Sequence, residues 1–202
     1  MPNWCSNNVD ITGPQSEIAR FARNMRGRGA SYPGHSPDDE WAAFDDIRKR
    51  ARYASPSDVT GDSKEFCMNA LYPVPDDIRR FPFDCGQARL IREELGEPPA
   101  PGGYQWQVDN WGTKWDVDAD VTTHTDHIFI TFESAWSPPS AFVQKISEDY
   151  PELSFQIEFS EPGANYAGME RYERGECVVE EGRECECYEC EQPQSSCKCY
   201  DD

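Results

Sequence analysis

The sequence predicts an α+β fold: a ferredoxin-like β-α-β-β-α-β antiparallel sheet, interrupted by a long, mostly helical insertion and followed by an acidic Cys-rich tail. Three observations predict it. Segments near 5–12, 115–122, 127–134 and 153–160 alternate apolar and polar residues, as half-buried strands do. Segments near 16–26 and 138–149 place apolar residues at helical spacing. Composition then changes abruptly, because six of the nine cysteines lie after residue 176.

Taken in order, Cys5, Asn7, Val9 and Ile11 share one face of the first strand and Ser6, Asn8 and Asp10 the other. Gly13-Pro14 breaks it. Ile18, Phe21, Ala22 and Met25 then mark a helix, with Arg23 and Arg26 suited to its C-terminal end. The insertion spans about 27–114. Ser36-Pro37-Asp38-Asp39-Glu40 reads as a helix start ahead of Trp41, Phe44 and Ile47, and Phe66–Leu71 as a short strand. Ala88, Ile91 and Leu95 mark another helix. Residues 97–103, with three prolines and two glycines, form a connector. Trp115, Val117, Ala119 and Val121 alternate with Asp116, Asp118, Asp120 and Thr122. A polar turn leads to Ile128, Ile130 and Phe132, which completes a hairpin. Ser137-Pro138-Pro139 caps a helix carrying Phe142, Val143 and Ile146. Leu153, Phe155, Ile157 and Phe159 form the last strand. The domain runs over 1–180 and the tail over 181–202. The alternation puts Val9, Ile11, Val117, Val121, Ile130, Phe132, Phe155 and Ile157 under the helices. Asp10, Asp116, Asp118, Asp120, Glu133 and Glu158 fall on the opposite face.

Asp and Glu number 38 against 19 Lys and Arg, a formal net charge of −19. That balance excludes sequence-independent nucleic-acid binding through a basic surface, and also attachment to anionic lipid. No basic stretch precedes an apolar core near the start, and no apolar run is long enough to span a bilayer. The chain reads as soluble and intracellular, so the cysteines are not taken for a disulfide framework.

Four phrases in fixed order carry a family resemblance. They are Met1-Pro2-Asn3-Trp4-Cys5-Ser6-Asn7, Asn110-Trp111-Gly112-Thr113-Lys114-Trp115, Phe132-Glu133-Ser134-Ala135-Trp136-Ser137-Pro138-Pro139, and Glu161-Pro162-Gly163 with Tyr166-Ala167-Gly168. Over roughly residues 1–180 the chain resembles the YubB-type ferredoxin-like domain family of phages, prophages and plasmids. The resemblance implies the same core topology and no particular chemistry. It does not extend to the Cys-rich end.

Three constellations are candidate sites. In the tail, Cys187, Cys190, Cys197 and Cys199 offer two short thiol clusters, the arrangement that wraps one tetrahedral zinc. Cys185 could replace Cys187, and the bland alternative is an acidic tail of reduced, empty thiols. In the middle, Asn110, Trp111, Lys114 and Trp115, with Trp136, could line an aromatic pocket or simply clasp the insertion to the sheet. On the sheet, Asp116, Asp118, Asp120 and Glu158 form an acidic surface, either solvated or mimicking a phosphate backbone. No Gly-rich phosphate loop, no Gly-x-Ser-x-Gly elbow and no His-Glu-x-x-His occurs. The leading expectation is therefore a non-catalytic accessory protein of a phage or mobile element. It would act in the host cytoplasm by binding a host or phage protein through that acidic surface. Direct nucleic-acid and membrane binding are not expected. The alternative is a zinc-binding protein, or an enzyme, centred on the Cys-rich tail or the Trp-lined turn.

Overall fold

A computed structural model of the chain describes residues 3–33, 61–187 and 189–199. The helix expected from Ser36 lies outside the described residues. The chain divides into two compact units, one of residues 1–23 with 117–202 and one of residues 24–116.

The first unit is built on a six-stranded antiparallel sheet. Its strands are β1 (Trp4–Thr12), β4 (Ala119–Thr123), β5 (His127–Ala135), β6 (Ser154–Glu161), β7 (Tyr166–Glu173) and β8 (Glu176–Arg183), with spatial order β4-β5-β1-β6-β7-β8. The first four positions in that order are the ferredoxin-like arrangement. Val9 stands opposite Ile130 and Ile157, and Ile11 opposite Ile128 and Phe155, so one apolar layer crosses three strands. The helices Gln15–Asn24 and Ser140–Asp149 supply Ile18, Phe21, Phe142, Val143 and Ile146 to the buried core. Phe21 meets Tyr150 and Phe155 edge-on at 5.0 and 5.6 Å. The second helix starts after Pro139, whose carbonyl accepts from Val143 N, and no side chain caps it. Ser137 instead accepts from Ser134 Oγ through its carbonyl.

Strands β7 and β8 extend the sheet past the expected four. The loop between them is two residues long, and both Arg174 (φ 56°) and Gly175 (φ 81°) are left-handed. That is the turn geometry whose twist matches a hairpin. The tail expected from residue 181 thus begins inside a strand.

The second unit contains the two-residue strands β2 (Gly27–Arg28) and β3 (Ser63–Lys64). Short helices follow at Met68–Leu71 and Asp76–Arg79, and longer ones at Cys85–Leu95 and Gly103–Trp111. Phe81, Ala88 and Ile91 pack together, with Leu95 against them. Within the expected strand at Phe66–Leu71, residues Met68–Leu71 instead form a helix. Its first N–H groups, Met68 N and Asn69 N, donate to the Asp116 carboxylate at 3.1 and 3.3 Å. A carboxylate capping from 48 residues away outweighs the β-propensity of the segment.

The same bonds correct the hairpin. The ladder with β5 begins at Ala119↔Phe132, so Trp115–Asp118 precede the strand, and Asp116 belongs to the second unit rather than to the acidic face of the sheet. Asp116→Ala should therefore destabilise the protein by about 1–2 kcal/mol, the loss of a helix cap. Asp120→Ala, on an exposed strand position, should change it by less than about 0.5 kcal/mol. Urea unfolding measures both, and equal effects would contradict the assignment.

Candidate metal centre

Beyond Arg183 the chain turns back on itself in a series of backbone bonds. Cys185 N donates to Asn165 Oδ1 at 3.1 Å, and Cys185 Sγ lies 3.1 Å from Tyr166 O and 3.3 Å from Ser160 Oγ. Only 2% exposed, Cys185 fastens the tail to the β6–β7 end of the sheet. Asn165 reaches it because its own backbone is left-handed, at φ 53°, a conformation Asn tolerates. Next, Cys187 N donates to Gln192 O at 2.7 Å and Glu191 N to Cys187 O at 2.9 Å, closing a tight loop that contains Cys190. Glu191, at φ 55°, makes the turn possible. Gln194 N then bonds Cys185 O, and a 3-10 turn over Gln194–Ser196 delivers Cys197 and Cys199.

The sulfurs of Cys187, Cys190, Cys197 and Cys199 consequently all lie within 4.8 Å of one another. A tetrahedral zinc with Zn–S bonds of about 2.3 Å needs sulfurs about 3.8 Å apart. Cys190 and Cys197 already stand at 3.7 Å. The donor set is soft and uniform, which suits zinc or iron and disfavours calcium and magnesium.

Charge makes the cluster incomplete as a set of thiols. Cys187 is pulled down to about 7, first by the neighbouring Cys197 thiol, then by the backbone N–H groups of Glu189 and Cys190. Cys199 is pushed up by the Cys190 and Cys197 thiols beside it. Cys197 draws down on the Cys199 N–H at 3.4 Å, yet its neighbours Cys187 and Cys190 leave it raised. One thiolate forms readily here. Four form together only around a cation.

Cys185, offered as a substitute for Cys187, is committed to the sheet, and exposed Cys177 bonds Val179 O within β8. The acidic face is smaller than expected. Asp120 and Glu158 are exposed, on β4 opposite Thr131 and on β6 opposite Asn8. Asp118 is exposed ahead of the strand. In the aromatic turn, Trp111 is fully buried and donates Nε1–H to Tyr72 O at 3.0 Å. Asn110 accepts from Tyr72 Oη and donates to Trp106 O, and Lys114 lies 3.9 Å over the Trp115 ring. Asn110 and Trp111 thus tie the helix Gly103–Trp111 to Tyr72 at the end of the helix Met68–Leu71, whereas Trp136 belongs to the sheet unit and is 44% exposed. Sequence reasoning missed Cys185 and Asn165 as the residues that index the cluster to the sheet. The one signal was Cys185-x-Cys187, since residues i and i+2 of an extended segment share one side.

Comparison with known proteins agrees with the topology. Residues 110–201 match the model of the ferredoxin-like domain in Api92-like proteins. The uncharacterized protein YubB of Escherichia coli (strain K12) is 27% identical over 81 residues, 39% of this chain and 56% of YubB, so the match spans about half of that relative. The crystal structure of protein api92 from Yersinia pseudotuberculosis superposes with a TM-score of 0.53 at 13% identity, over 93% of this chain and 99% of that one, a likeness of fold. Over residues 110–201 this chain thus resembles the ferredoxin-like domain of Api92-like proteins.

Proposed function

We propose that the protein is a metal-binding accessory protein whose C-terminal segment folds around one zinc ion held by Cys187, Cys190, Cys197 and Cys199. The observation that carries this reading is the convergence of the four sulfurs within 4.8 Å. Ordering the tail costs conformational entropy that its few apolar side chains do not offset. Metal binding energy would offset it, since ligation stabilises only the folded arrangement. Within this reading the ion is structural: four protein ligands leave no open position for a substrate.

The purified protein should contain one zinc per chain. Cys190→Ser and Cys197→Ser should each lose it, and Cys177→Ser should retain it. Stripping the metal with a chelator should loosen residues 187–199 and leave the sheet folded. Cobalt uptake should release protons and give the visible bands of tetrahedral thiolate coordination. Full zinc occupancy in the Cys190→Ser and Cys197→Ser variants, or none in the parent, would contradict the reading.

A second reading, that the protein binds a basic host or phage protein in the host cytoplasm, is favoured by one observation. Asp120, Glu133 and Glu158 are all exposed on strands of the sheet, so their carboxylates keep fixed spacing. Complementary charge would speed and select such an encounter. Exchanging the three for Asn, Gln and Gln should weaken salt-sensitive capture of a basic partner. Undiminished capture would reduce that surface to a solubility feature.

A further inference from the structure

The sheet ends at β8, which pairs with β7 and has no second neighbour among the described residues. Arg171 stands opposite Val179 and Tyr172 opposite Cys177, so Val178 is the extra residue of a bulge. Beyond it, residues 179–183 run in unbroken register against residues 167–171. Glu180, Glu181, Gly182 and Arg183 are exposed and Val179 is half-buried. Successive residues point to opposite faces, so neither face of this stretch is covered. Its outer edge therefore offers the N–H and C=O groups of every second residue, and no proline or lysine blunts it.

Charge says what this edge accepts. The register sets Glu170 directly opposite Glu180. Like charges so placed destabilise a strand pair. Glu170 accepts from Tyr172 Oη, a neutral group, and neither glutamate takes part in an ion pair among the described residues. β8 itself carries three glutamates against the one Arg183. Glu180 and Glu181 lie on opposite faces, so a strand added outside β8 meets a carboxylate on each side. On the Glu181 face, a pocket of about 230 Å³ is lined by Glu158, Met169, Glu181 and Arg183, a net negative set with room for a side chain. Glu181 stands opposite Met169, and Met169 opposite Glu158. The stem of a lysine or arginine can lie on the Met169 thioether with its charge between the two carboxylates. A second cation opposite Glu180 would offset the repulsion that the hairpin carries alone. Another copy of this chain is the less suitable occupant, since each carries a net charge of −19.

We propose that β8 is a docking edge, on which an extended, Lys- or Arg-rich segment of another protein adds to residues 179–183 as a seventh strand. Backbone bonds set its register, and Glu180 and Glu181 select a basic sequence. This goes beyond the basic partner of the second reading above by naming a different contact. It is backbone pairing on β8, at the opposite end of the sheet from Asp120 and Glu133.

The test is a titration of ¹⁵N-labelled full-length protein, at about 0.15 M salt, with the peptide acetyl-KVKVKVK-amide. Amide shifts should saturate at residues 179–183, and exchange of alternate amides in that stretch should slow at saturation. The EVEVEVE counterpart should bind at least about tenfold more weakly. Two further peptides keep the lysine charges and carry N-methyl groups on every valine or on every lysine nitrogen. The one whose methyl groups face β8 cannot form the ladder and should also bind at least about tenfold more weakly. These controls alter only the peptide, so none depends on a variant folding. Glu180→Gln with Glu181→Gln should weaken the parent peptide by about threefold or more, whereas Asp120→Asn with Glu133→Gln should leave it within about twofold. No saturable shift, shifts centred on β4 and β5, or both N-methylated peptides binding as tightly as the parent overturns the proposal. A dimer in sedimentation that protects the β8 amides without peptide also overturns it.

Discussion

The sheet unit depends on β1 being paired along both edges. It meets β5 over Trp4–Thr12 and β6 over Ser6–Thr12, antiparallel to each. A slip of one residue on either side would turn Val9 and Ile11 to solvent and Asp10 into the core. Alternation alone does not forbid a slip of two. Asn7 does. Fully buried, it donates to Cys5 O at 2.7 Å and to Ser134 Oγ at 2.9 Å, and Ser134 Oγ in turn donates to Ser137 O at 2.6 Å. Another register with β5 would remove the Ser134 bond and leave one Nδ2 proton of the buried amide without its partner, which costs about 1–3 kcal/mol. The phrases that carry the family resemblance around Cys5-Ser6-Asn7 and Ser134-Ala135-Trp136-Ser137 are thus the parts that lock the central strands.

The same logic continues toward the C-terminus. The Glu161 carboxylate, 2% exposed, accepts from Gly163 N and Ala164 N and shapes the turn out of β6. Asn165 follows in that turn and fastens Cys185. Tyr166 Oη donates to Trp136 O, linking the turn to the end of β5. The thiol cluster therefore starts from a defined point on a rigid sheet. From there, two tight backbone turns suffice to bring four sulfurs together.

What was legible in the sequence follows from where each segment obtains its stability. β1, β5 and β6 bury one face each, so their alternation shows. The helix Cys85–Leu95 likewise announces itself through Ala88 and Ile91. β8 is exposed at nearly every position, so Glu176–Arg183 carries no pattern, and its pairing with β7 comes from the Arg174-Gly175 turn. The Met68–Leu71 helix is decided by Asp116, and no local window contains both. Trp115–Val121 does alternate, yet the diversion of Asp116 to that helix ends the ladder at Ala119. The cysteine quartet was legible because the spacing of its members is a local property. The buried Arg92 was not, since it reads in sequence as one more helical arginine and only its burial sets it apart.

The proposed function rests on four thiolates of one chain closing around one metal ion. Zinc K-edge X-ray absorption on the purified full-length protein tests it most directly. Zinc in this site should show four sulfur neighbours at about 2.3 Å and no nitrogen or oxygen neighbour. A shell containing oxygen or nitrogen, or fewer than four sulfurs, would contradict it.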